Sequence, residues 1–159
     1  MSSGIRRGSV VTAAVVAASL VGAGTATASA AEAVPVHGVQ VAQQTTGNLL
    51  GTFSDTTVTS FHPHPSGAYT LTFTERFAGC IDEDGSATCD AGEPAGTLEF
   101  AGSLGGAPDP STPTGAGRAR GIERVTSGTG AFAGARGVLT FRVDVQTGAI
   151  PFRGVIVIR

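Results

Sequence analysis

From about residue 31 onward, glycine, proline, aspartate or serine interrupts this chain every few residues. No segment between the interruptions carries a sustained 3.6-residue apolar stripe. The runs that remain alternate with a period of two. Tyr69, Leu71, Phe73, Glu75 and Phe77 share one face, and Thr70, Thr72, Thr74 and Arg76 share the other. Leu98 and Phe100 alternate with Thr97 and Glu99; Leu139, Phe141 and Val143 alternate with Thr140, Arg142 and Asp144. Phe152, Gly154, Ile156 and Ile158 oppose Arg153, Val155 and Val157. Further strands are expected over residues 34–43, 47–61 and 118–125. Seven or eight short strands at nearly regular spacing predict an all-β domain, a single antiparallel barrel of about eight strands or a sandwich.

The first thirty residues read differently. Arg6 and Arg7 precede an uncharged, mostly Val and Ala run over residues 10–21, and small residues then lead to Ala28-Ser29-Ala30. A basic start, a short apolar stretch and an A-x-A site predict a secretory signal peptide over residues 1–30, cut after Ala30. The apolar run is shorter than the ~20 residues a membrane-spanning helix takes. The expectation is a secreted protein with no membrane attachment after cleavage, and one domain over residues 31–159. That segment holds eight Arg, no Lys and twelve acids. Its composition excludes a strongly basic nucleic-acid binder and a charge-rich disordered chain.

The charges are unevenly spread. Seven acids and no base lie between Phe77 and Gly117, whereas seven Arg and two acids lie from Arg118 to Arg159. The simplest reading is a solvated acidic loop beside surface arginines. The other is that the two halves meet, within one chain or between subunits. The arginines lack interleaved aromatics, so no nucleic-acid partner is expected.

Cys80 and Cys89 are the only cysteines, and after export an even count predicts a disulfide. Asp82-Glu83-Asp84-Gly85 between them resembles the middle of an EF-hand loop. In that register the first and last ligand positions fall on Cys80 and Ala91, so the acidic loop reads as an exposed hairpin tip and no metal is expected. His62 and His64 sit in a Pro-rich turn and read as exposed. Residues 102–117, with five Gly and three Pro, read as a flexible connection.

The chain contains no G-x-S-x-G, Walker, dinucleotide or H-E-x-x-H motif, and no cofactor is expected. The most informative acid is Glu75, in phase with the face expected to point inward. Asp55 is in phase with Phe53 and Phe61 if that strand is regular. A carboxyl on an inward face needs a partner or holds its proton, and it then offers acid–base chemistry or a polar anchor for a ligand. Pairing with an Arg, or a place at a wet barrel end, is the structural alternative. Tyr69, Leu71, Phe73 and Phe77 would line the ligand site.

Residues 121–141 run GIERVTSGTGAFAGARGVLTF. The Ser127-Gly128-Thr129-Gly130 turn, Phe132, Gly134 and Ala135-Arg136-Gly137 before a strand resemble the allene oxide cyclase-like and dirigent-like barrels, including secreted bacterial members of unknown role. The resemblance covers residues 117–159 and implies an eight-stranded antiparallel barrel, with a homotrimer as one expectation. The glycines at 128, 130, 134 and 137 are expected to permit positive φ or close approach, and Phe132 to plug the turn into the core. In those families an apolar lumen steers the cyclisation or coupling of a reactive intermediate. No catalytic residue transfers to a position in this chain. Three readings follow: a barrel binding a small apolar molecule, a cyclase or isomerase using Glu75 or Asp55, and a non-catalytic structural or interaction protein with a packed lumen.

Overall fold

The computed structural model describes residues 30–109 and 117–159. The proposed signal segment, apart from Ala30, and most of the Pro-rich stretch lie outside the described residues. The described chain is all β: β1 Glu32–Val41, β2 Gln44–Gly47, β3 Leu49–Pro63, β4 Tyr69–Ile81, β5 Ala95–Ala107, β6 Arg118–Gly130, β7 Arg136–Asp144 and β8 Ala149–Ile158. Each strand pairs antiparallel with its neighbour, and β1 pairs with β8 over its whole length, so the sheet closes on itself.

The period-two alternation sends one set of side chains into the ring, and the register stacks them in rows. Along one row Phe73 faces Gly102, Gly102 faces Glu123, Glu123 faces Leu139, Leu139 faces Gly154, and Gly154 faces Val36. Large residues thus lie over small ones, which is how a small barrel fills its interior. A methyl group on Gly121 would collide with Phe141, and one on Gly106 would lie 2.5 Å from the Tyr69 ring. Residues 102–107, expected as loop, are the end of β5, where Gly102 and Gly106 are the small partners of inward Phe73 and Tyr69.

The end of the barrel reached by the finish of β4 is closed. Phe77, Leu98, Phe100, Phe132, Leu139 and Ile156 are at most 1% exposed. Phe53 packs its ring 5.3 Å from Phe77 and 5.8 Å from Phe100. Phe132 enters from the β6–β7 turn as expected. Gly130 (φ 63) and Gly134 (φ 73) shape that turn, while Gly128 and Gly137 serve close backbone approach instead. Ser127 to Gly130 is the last part of β6 rather than a turn.

Cys80 and Cys89 form the expected disulfide at this end. It ties the acidic loop to the end of β4, where Cys80 is fully buried. Asp82 organises the loop by accepting hydrogen bonds from the amides of Gly85, Ser86 and Ala87 at 2.7–3.2 Å. Burial raises its pKa, but these donors outweigh burial and hold the carboxyl below the usual range.

The opposite end is open. β2 has four residues and registers with β3 at a single pair, Gln44 with Thr52. From Ser54 to Pro63, β3 registers with β4 on one side and with no strand on the other, among the described residues. The inward residues Val58 and Phe61 are 56% and 55% exposed there. Phe61 stacks obliquely on Tyr69 with ring centroids 5.8 Å apart.

Candidate functional site

Between the packed end and the open mouth lie two buried carboxyl groups. Glu75 projects inward from β4, as its phase predicts, and is 7% exposed. Glu123 projects inward from β6 and is 6% exposed. Their strands are separated by β5, where Glu75 faces Phe100 and Glu123 faces Gly102, so the two glutamates approach each other on a diagonal. A methyl group on Gly102 would collide with Phe73 and come within 2.9 Å of the Glu123 Cγ. The missing side chain leaves room for the Phe73 ring and the stem of Glu123.

The two carboxyls share a hydrogen bond, and Thr56 Oγ1 donates to Glu75 Oε2 at 3.2 Å. Burial is the main cause raising the pKa of both. For Glu75 the donors Glu123 and Thr56 counter part of that rise. For Glu123 the Glu75 charge adds to it, pushing the group up to about 9. Both carboxyls are raised, so the pair keeps a proton between them at neutral pH. Two carboxyls whose surroundings separate their proton affinities give one donor and one acceptor in a single site.

A bulge in β3 supplies Thr56. Ser54 registers with Arg76 and Thr57 with Thr74, so Asp55 and Thr56 together oppose Glu75. Asp55 takes φ 53, and the extra residue turns it outward, where it is exposed. Asp55 was expected on the inward face; the bulge shifts the phase, and Thr56 occupies the place assigned to it.

Toward the mouth, Phe73 lies over Gly102 and makes an edge-to-face contact with Phe141 at 6.0 Å. Leu71 and Leu104 continue this wall, half-buried, and Val58, Phe61 and Tyr69 form its outer lip. Of the four expected lining residues, Tyr69, Leu71 and Phe73 belong to this wall, whereas Phe77 belongs to the packed floor. The best-formed concavities of the molecule, about 350 to 620 Å3, lie on the outer wall and rim; neither glutamate lines them.

The other candidates separate from this site. His62 and His64 are exposed near the mouth, as expected. Asp82, Asp84 and Glu93 bring one carboxylate oxygen each within 4.8 Å of one another. Loop amides account for that cluster, because Glu93 accepts from the amides of Glu83 and Asp90 while Asp82 is occupied as above. Sequence reasoning missed Glu123 as an inward group. The signal was present: Ala119, Gly121, Glu123 and Val125 alternate with Arg118, Arg120, Ile122 and Arg124. No protein-family model, curated protein or solved structure matches this chain.

Proposed function

We propose that this is a secreted barrel of the allene oxide cyclase-like or dirigent-like type that binds a small, largely apolar molecule at its open mouth. The Glu123–Glu75 pair would anchor a hydroxyl or carbonyl on that molecule. The observation that carries this reading is the buried carboxyl pair beneath an exposed apolar lip. Burying two carboxyls is costly, and a packed scaffold gains nothing from them that a pair of leucines would not supply. An exposed lip of Val58 and Phe61 loses hydrophobic stabilisation in the free protein and regains it under an apolar ligand. The disulfide agrees with an oxidising compartment. Phe73 and Phe141 stand between the mouth and the carboxyls, so a ligand reaching Glu123 displaces the Phe73 ring.

The test is a fluorescence titration with N-phenyl-1-naphthylamine, an apolar dye that brightens in dry surroundings. Saturable binding that weakens in Phe61→Ser supports the mouth as the site. Binding of hydroxylated or carbonyl-bearing competitors that weakens further in Glu123→Gln supports the anchor. No saturable binding, or binding indifferent to both substitutions, overturns the reading in favour of a packed, non-catalytic scaffold. A cyclase or isomerase is the second reading, favoured by the unequal sharing of one proton. Glu123 would polarise a carbonyl and the Glu75 carboxylate would take a proton. Its sign would be turnover lost in Glu75→Gln while competitor binding persists.

A further inference from the structure

The outer wall of β6, β7 and β8 gathers the arginines that the sequence scatters. Arg118, Arg120 and Arg124 alternate outward on β6, Arg142 on β7 and Arg153 on β8. Glu123, one of two acids in this third of the chain, is turned into the lumen, which leaves Asp144 as the sole acid facing out. Among the described residues the one ion pair is Arg76 with Glu99, at 2.6 Å on the wall of β4 and β5. None of the seven arginines from Arg118 onward joins an ion pair there.

Arg120 and Arg142 are direct cross-strand partners on the same outward face. Like charges so placed repel each other. With Arg153 they line one concavity of about 590 Å3 that no acid lines, and with Arg118 a neighbouring one of about 390 Å3 that Asp109 and Asp144 share. Beside them run the aliphatic residues Ile122 (37% exposed), Val155 (44%) and half-buried Val138. An aliphatic strip edged by arginine has the composition of a protein contact more than of a polyanion track.

The complementary surface is on the same molecule. In the Cys80–Cys89 loop and its flank, Asp82 and Glu93 are occupied in holding the backbone. Glu83, Asp84 and Asp90 are exposed on the surface, with one oxygen of Asp84 accepting from the Ser86 amide and one of Asp90 from the Thr88 hydroxyl. The disulfide and the Asp82 hydrogen bonds fix the loop before any encounter, which lowers the ordering cost of docking. Among the described residues the loop and the arginine wall form no ion pair within one chain. We propose that the wall of β6–β8 receives the acidic loop of a second copy of this chain, with carboxylates seated between Arg120, Arg142 and Arg153. The loop and the wall are different patches, so the contact is head-to-side and repeats into a ring or a short open chain. Bidentate arginine–carboxylate bonds would replace the Arg120–Arg142 repulsion.

Sedimentation velocity on the unmodified protein tests this, over a wide concentration range at ~0.05 M and ~0.5 M salt. The expected result is self-association that weakens about tenfold or more at the higher salt. Two neutralised variants sharpen it: Arg120→Gln with Arg142→Gln, and Glu83→Gln with Asp84→Asn and Asp90→Asn. Each alone is expected to be monomeric. Mixed, they retain one intact loop and one intact wall between them and are expected to form a 1:1 pair that grows no further. The proposal is overturned by a wild-type protein that stays monomeric at low salt, by association indifferent to salt, or by variants that associate alone. A mixture that fails to pair although each variant keeps the wild-type melting temperature overturns it too. Monomeric wild-type protein held by a heparin column would assign the wall to a polyanion instead.

Discussion

The two ends of the barrel are built from the same strands and have opposite characters. At the closed end Phe53, Phe77, Phe100 and Phe132 interlock, and the disulfide braces the loop above them. At the open end a four-residue β2 leaves the upper part of β3 projecting, with Val58 and Phe61 in solvent. The difference teaches a division of labour. Burial at the closed end supplies the stability that lets the open end expose apolar surface and hold two carboxyls out of water between them.

Substitutions should separate the two ends by size of effect. The largest change is expected from Phe132→Ala, which empties a fully buried site and should cost about 3–5 kcal/mol in urea unfolding. Replacing Cys80 and Cys89 by Ala and Ser should follow, at roughly 2–3 kcal/mol, because the short loop then regains its freedom in the unfolded chain. Gly102→Ala places a methyl group against Phe73 and Glu123 and should cost about 1–3 kcal/mol through overpacking. It should also separate the carboxyls, visible as a lower titration point of Glu123 in carbon-detected NMR. The smallest effect is expected from Phe61→Ser, within about 0.5 kcal/mol, since the side chain is already half in water. An equal cost for Phe61→Ser and Phe132→Ala would erase the contrast between the ends.

The carboxyl pair gives the comparison a pH axis. Unfolded, Glu123 ionises near its ordinary 4.5; folded, it keeps its proton to about 9. Between these values the folded state binds more protons than the unfolded one. Stability from this group therefore falls as pH rises through the window, with a slope of at most about 1.4 kcal/mol per pH unit, and levels off above pH 9. Glu123→Gln should flatten that slope and raise the melting temperature at pH 8, as read by calorimetry from pH 5 to about 9. A steeper slope in the variant would contradict the assignment. Asp82 and Asp144 act in the opposite sense. Their lowered pKa values stabilise the fold above 3.8, and that contribution disappears as pH falls below it.

Much of the ring was legible because its strands obey a strict period of two. The inward set on β4 follows from alternation alone, and with it Glu75. Glu123 obeys the same alternation but hides among small residues, Ala119 and Gly121, which carry little apolar signal. Asp55 failed for a different reason. A bulge inserts one residue, and a period-two reading changes face at that point with no mark in the sequence. The glycines of β5 were misread because Gly-Gly before a proline resembles a loop. Their role appears only when Tyr69 and Phe73 on the neighbouring strand are seen to need the space. The charge asymmetry was legible as composition, whereas its gathering on one wall depends on the register of β6, β7 and β8.

The projecting part of β3 has a consequence for solubility. A strand with one side unpaired offers its backbone as a template for another chain, the usual start of edge-to-edge aggregation. Here the offer is spoiled along its length. Register breaks between Ser54 and Thr57 and again between Val58 and Ser60 put the free amides and carbonyls out of step with any regular incoming strand. Asp55, turned outward by the first break, sets a charge on the same edge. The irregularity that aims Thr56 at the carboxyl pair thus also keeps the open mouth from closing on a neighbour.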